Sequence, residues 1–255
     1  MAVEDEEERN LAALEDYVRE YNSGAGYVDR CFTPAAVLTL LRLGTSTAGR
    51  ADLQAAAEAV LATLPDRRTC VVDASASGNI VVARMRFRGT PTADGPFGPG
   101  GELFVAEILN VITFRDALMA RKLEFPLGFP PRDPAELDIA ILKDVVRLFG
   151  EDEGTLGDLL APDVDFRQFP SGVAFATRQD RGELAQSDRA GVASRQVVPL
   201  DWGVAGDTLT LRFRRTRGAD DSAQVRSVQP SWQEFVTVLT MREGRIVRYY
   251  EYWVE

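Results

Sequence analysis

Between Glu4 and Asn22 the apolar residues Leu11, Leu14, Tyr17, Val18 and Tyr21 recur three and four positions apart, which predicts an amphipathic helix. The acidic run Glu4 to Glu8 falls in its first turns, where negative charge complements the helix dipole, and Ser23-Gly24 ends it. A short helical turn over Tyr27 to Phe32 precedes Thr33-Pro34, after which Val37 to Leu43 reads as an apolar strand. Gly49-Arg50-Ala51-Asp52 opens a second helix, Ala51 to Leu64, with Leu53, Ala56, Ala57, Val60 and Leu64 on one face. The rhythm then changes. Strands are predicted over Thr69 to Ala76, Ile80 to Thr90 and a hairpin from Glu102 to Phe125, with a glycine- and proline-rich loop between the last two.

The second half repeats this order. Asn110 to Phe125 aligns with Thr237 to Tyr252 at an offset of 127 residues, matching Val111 with Val238, Thr113 with Thr240, Arg115 with Arg242, Arg121 with Arg248 and Glu124 with Glu251. Both copies read as strand, charged turn, strand, with turns at Asp116-Ala117 and Glu243-Gly244; only the second supplies a glycine for positive φ. Ala135 to Gly150 is a further amphipathic helix, led by Leu137, Ile141, Val145 and Leu148. Leu159 to Val164 echoes Cys31 to Val37, Thr177-Arg178-Gln179-Asp180 echoes Gly49-Arg50-Ala51-Asp52, and Leu211 to Thr216 echoes Met85 to Thr90. Four echoes in one order predict a tandem duplication: a domain over 1–126, a proline-rich linker over 127–134 and a second domain over 135–255.

Composition narrows the chemistry. A formal net charge of −10 opposes a phosphate backbone, so nucleic acid is an unlikely partner in charge terms. No apolar run approaches the ~20 residues of a membrane span, and an acidic N-terminus is unlike a signal peptide, so the chain reads as cytoplasmic. Its two cysteines, Cys31 and Cys70, are expected to be small buried hydrophobes rather than a disulfide or metal pair. There is no histidine, so acid–base work falls to carboxylates, tyrosine, lysine or arginine neighbours, and no metal or other cofactor is expected.

The succession of helix, short helix, a Phe32-Thr33-Pro34 strand start, the Gly49-Arg50-Ala51-Asp52-Leu53 helix start, a strand containing Ala83-Arg84-Met85-Arg86-Phe87-Arg88-Gly89-Thr90 and a charged-turn hairpin resembles the SnoaL-like polyketide cyclase branch of the NTF2-like superfamily. The resemblance covers nearly all of each half. It implies an α+β fold of two tandem NTF2-like, cystatin-like cones, each a curved antiparallel sheet wrapped around helices. It also implies a cofactor-independent enzyme of natural-product biosynthesis that cyclises or isomerises a hydrophobic polyketide-like substrate, or opens an epoxide. The family includes many non-catalytic members, so a ligand-binding or scaffold protein is the alternative. NTF2-like domains commonly pair; the expected states are a monomer forming an intramolecular pseudo-dimer, or a homodimer.

A hairpin with two-residue turns sets Leu109 opposite Glu124 and Val236 opposite Glu251. In that register Glu107 and Glu124 share one face, as do Glu234 and Glu251, as diagonal neighbours roughly 7 to 8 Å apart. These four are the candidate catalytic residues. On an apolar face their pKa values are expected to rise toward the range useful to a general acid. The alternative is pairing with Arg84, Arg86, Lys122, Arg212 or Arg214 on neighbouring strands. Candidate substrate-binding residues are Tyr17, Tyr249, Trp202, Trp232, Trp253 and Arg212, with core packing the competing role for the aromatics.

Overall fold

The computed structural model describes residues 2–24, 26–127, 159–169, 173–175, 197–216 and 232–254. The chain divides into two compact units, Met1–Phe129 and Pro130–Glu255. Most of the predicted linker, the helix expected over 135–150 and the segment Thr177 to Asp180 lie outside the described residues.

In the first unit α1 (Ala2–Ser23) and α2 (Tyr27–Cys31) precede β1 (Phe32–Leu40) and β2 (Thr45–Ala48). Then come α3 (Arg50–Thr63), β3 (Arg68–Ser77), β4 (Ile80–Gly89), β5 (Phe104–Arg115) and β6 (Leu118–Pro126). The six strands form one sheet in the order β2-β1-β6-β5-β4-β3, antiparallel throughout except that β1 runs parallel to β6. The polar edge strand β2, Thr-Ser-Thr-Ala, has no apolar alternation to announce it.

One face of this sheet packs against the helices. Leu14 and Tyr17 of α1, Tyr27 and Val28 of α2 and Leu53 and Ala57 of α3 are buried with Val81, Ala83 and Met85 of β4 and Ile112 and Phe114 of β5. Each large apolar side chain so buried contributes roughly 1.5–3 kcal/mol. The Gly49-Arg50 repeat motif has a local cause: Gly49 takes φ 85°, and Arg50 donates from Nε and Nη2 to the Phe32 carbonyl at 2.8 and 2.5 Å, tying the start of α3 to the start of β1. Arg67, fully buried, donates to the carbonyls of Tyr21 and Gly24, closing the end of α1 where backbone acceptors are otherwise left over. Of the two cysteines, both free, Cys31 is buried and its thiol is pushed up to about 11 chiefly by desolvation, but Cys70 is exposed on β3, contrary to expectation.

The second unit contains β7 (Leu160–Phe169), β8 (Val173–Phe175), β9 (Val197–Ala205), β10 (Thr208–Thr216), β11 (Trp232–Arg242) and β12 (Arg245–Val254). Their order, β8-β7-β12-β11-β10-β9, with β7 parallel to β12, repeats that of the first sheet strand for strand. Its core joins Val164, Phe166, Trp202, Leu209, Leu211, Phe213, Phe235, Leu239 and Tyr249.

Both hairpin turns fall where the sequence places them, with positive φ at Asp116 (52°), Ala117 (60°), Glu243 (52°) and Gly244 (73°). The register differs. A bulge between Thr113 and Phe114, and another between Thr240 and Met241, set Asn110 opposite Glu124 and Thr237 opposite Glu251. Each bulge inserts one residue, and a one-residue slip moves a side chain to the other face. Glu107 and Glu124 therefore lie on opposite faces of the first sheet, and Glu234 and Glu251 on opposite faces of the second.

Candidate functional site

The helix-covered face of the first sheet carries a polar group at its centre. Lys122 and Glu124 alternate along β6 on that face, beside Asn110 of β5 and Leu38 and Leu40 of β1. The Lys122 ammonium lies 2.6 Å from Glu124 Oε1 and donates to the Tyr17 hydroxyl at 2.8 Å, so α1 and β6 meet through it. The Lys122 side chain is 5% exposed and that of Glu124 20%, which leaves the carboxylate in contact with solvent although its strand is interior to the sheet. Among the described residues no donor lies on the second Glu124 oxygen.

Around this group stand Tyr17, Tyr21, Tyr27 and Phe32, with ring centroids 5.0 to 6.2 Å apart. Burial raises the Tyr17 pKa well above its ordinary value, and the neighbouring Tyr21 and Glu124 raise it further. Desolvation also raises Tyr21, against the pull of Arg67, so both remain neutral phenols near neutral pH. A neutral hydroxyl, an ammonium and a carboxylate with one open oxygen can polarise a carbonyl and exchange a proton with the carbon beside it.

Glu251 occupies the corresponding place in the second sheet with different partners. Tyr249 Oη donates to its Oε2 at 3.1 Å, while Gln168 Nε2 and Trp253 Nε1 donate to its Oε1 at 2.8 and 3.0 Å. The sequence offset explains the contrast: Lys122 becomes Tyr249, Pro126 becomes Trp253, and the residue paired from the parallel strand changes from Leu40 to Gln168. Three neutral donors hold this carboxylate on both oxygens.

The other two candidates sit on the far faces in ion pairs. Glu107 meets Arg86 at 2.7 Å. Glu234 accepts from Arg212 at 2.7 Å and Arg214 at 2.8 Å. The upward pKa shift expected of Glu234 is reversed: burial pushes it up, but the hydrogen bonds and charges of Arg214 and Arg212 outweigh that and leave it below its ordinary value.

The predicted binding residues divide the same way. Tyr249, stacked on Phe166 at 5.0 Å, and Trp253, edge-on to Phe235 at 5.6 Å, share the face of Glu251. Trp202 is on that face too, through the cross-strand row Trp202, Leu211, Thr237, Glu251. Arg212 and the exposed Trp232, which lies under the Arg214 guanidinium at 4.4 Å, belong to the opposite face with Glu234. Sequence reasoning named Lys122 only as an ion-pair partner and passed over Asn110, whose amide interrupts the apolar run Ile108 to Ile112 and was the available signal.

Residues 14–122 match the model of the SnoaL-like domain family. Similar solved structures include a presumed SnoaL-like polyketide cyclase from Jannaschia sp. CCS1, 15% identical over 48% of this chain and 87% of that one, with a TM-score of 0.43. TsrD from Streptomyces laurentii is 21% identical over 46% of this chain and 87% of its own, TM-score 0.40. IdmH from Streptomyces antibioticus is 21% identical over 46% and 91%, TM-score 0.41. No curated protein sequence matches the chain. Among the described residues no helix is long and apolar enough to cross a membrane.

Proposed function

With residues 14–122 a SnoaL-like domain, we propose that the chain is a cytoplasmic biosynthetic enzyme that cyclises or isomerises a hydrophobic, polyketide-like ketone, with Glu124 of the first unit as its base. The observation that carries this reading is the open oxygen of Glu124, solvent-accessible beside the buried Lys122 ammonium.

Glu124 removes a proton from the carbon next to a substrate carbonyl. The electron pair moves to the carbonyl oxygen, where the Lys122 ammonium stabilises the enolate, and Tyr17 holds Lys122 in place. The enolate carbon then attacks a second carbonyl, whose oxygen takes the proton from Glu124 as the ring closes; from a β,γ-unsaturated ketone the dienolate instead takes that proton back from Glu124 at its γ-carbon, completing an isomerisation. The matched order of the two sheets supports a tandem duplication. In it the second unit keeps the fold while both oxygens of its carboxylate accept from neutral donors.

The test is deuterium incorporation at the α-carbon of propiophenone in heavy water, followed by NMR. Glu124→Gln is expected to lower the enzyme-catalysed rate about a hundredfold or more. A Glu124→Gln protein as fast as wild type removes the assignment. The alternative, a non-catalytic ligand-binding or scaffold protein, is favoured by the mutual packing of Tyr17, Tyr21, Tyr27 and Phe32 on the same face; it predicts no exchange above the buffer rate.

A further inference from the structure

Asn110 stands directly across from Glu124 and is almost wholly buried. Its Nδ2 donates to the Ile108 carbonyl at 3.1 Å, which fixes the amide, because the flipped group would set oxygen against oxygen. Oδ1 is then an acceptor with no hydrogen-bond partner among the described residues. A buried acceptor left unpaired costs about 1–3 kcal/mol, so such an atom calls for a partner, whether an ordered water or a ligand group.

The flanking residues bear on what that is. On the side away from Glu124, Asn110 is paired with Ala83, which contributes nothing beyond its methyl group. In the second sheet the residue opposite Glu251 is Thr237, whose Oγ1 is also buried without a hydrogen-bond partner among the described residues, but there the neighbour is the bulky Leu211. Both sheets thus put a polar side chain across from the glutamate, and only the first combines it with a small neighbour and a solvent-accessible carboxylate.

We infer that Asn110 Oδ1 receives a hydroxyl group of the substrate, close to the carbon from which Glu124 takes its proton. Directly opposed side chains on adjacent strands have Cβ atoms about 4.5–5.5 Å apart, so groups touched by both lie within two or three bonds of each other. The substrate class is a β-hydroxy ketone, or a β-diketone in its enol form, entering from the Glu124 side. The role of the carbon in this assignment rests on the reading of Glu124 as the base; recognition of the hydroxyl does not.

The probes are β-hydroxypropiophenone and β-methoxypropiophenone, in which a methyl group replaces the donor hydrogen. Dissociation constants from ligand-observed NMR on the full chain are expected to favour the hydroxy ketone about five- to tenfold. Asn110→Leu is expected to abolish that preference. Asn110→Thr, which keeps an acceptor as Thr237 does in the second unit, is expected to retain part of it and guards against loss through misfolding. Glu124→Gln is expected to keep the preference while losing α-deuterium exchange. A preference without exchange in the wild type sustains the hydroxyl site and discards the acid–base reading. Equal binding of the two ketones to the wild type, as when only an internal water occupies Oδ1, overturns the inference, and so does a preference that survives Asn110→Leu.

Discussion

Glu234 is held by two guanidinium groups on β10, and its pKa lies below the ordinary value because those hydrogen bonds outweigh its burial. A carboxyl with a depressed folded-state pKa binds fewer protons folded than unfolded, so its contribution is complete above the unfolded value, near ~4.3, and is lost as pH falls through the lower folded value. Thermal unfolding of Glu234→Gln should therefore show a deficit of about 1.5–3 kcal/mol at pH 7 that shrinks steadily below pH ~4. A deficit independent of pH would mean that the two arginines do not set the carboxyl's titration. At Lys122 the expected effect is on rate. Lys122→Met removes the ammonium that faces both Glu124 and Tyr17, and α-exchange of propiophenone should fall on the order of a hundredfold, with a smaller change in ketone binding.

At the level of elements, the second turn residue separates the two hairpins, alanine in the first and glycine in the second. Ala117 takes φ 60° where Gly244 takes 73°, and left-handed backbone costs an L-residue roughly 1–2 kcal/mol that glycine avoids. Glycine gives back about 0.5–1 kcal/mol through the freedom of the unfolded chain. Ala117→Gly should thus raise stability by up to ~1 kcal/mol, read as a higher denaturant midpoint at unchanged slope, and Gly244→Ala should lower it. The turns were legible because charge and glycine interrupt two apolar runs at matching places. The bulges at Thr113 and Thr240 were not, since no residue type is required there and alternation continues on both sides. That one displaced residue decided the fate of the carboxylates, moving Glu107 and Glu234 away from the faces of Glu124 and Glu251. Lys122 was named only as an ion-pair partner, because nothing in the sequence marks it as facing Tyr17 on a helix 105 residues earlier. The helix over Ala2–Ser23, by contrast, follows directly from the stripe of Leu14, Tyr17 and their neighbours, and the Arg50 motif gained a reason only once its bonds to Phe32 were seen.

Across the whole molecule, one strand order serves two different electrostatic arrangements. Among the described residues, a cation holds one carboxylate oxygen in the first unit and the other stays open, whereas in the second unit three neutral donors are shared between both oxygens. Hydrogen bonds to the ionised form hold a carboxylate in place but also occupy the lone pairs a base must use. On the proposed division of roles, the second unit's polar centre serves packing and the first unit's serves chemistry. The two conservative variants should therefore separate two observables. Glu124→Gln should cost rate in propiophenone exchange with a small change in melting temperature. Glu251→Gln leaves Tyr249, Gln168 and Trp253 with a neutral amide in place of three charge-assisted bonds, and should cost about 1.5–3 kcal/mol of stability while exchange proceeds. Measured together on the full chain, loss of exchange in Glu251→Gln at a temperature where it remains folded would place the active carboxylate in the second unit and reverse the proposed division of roles.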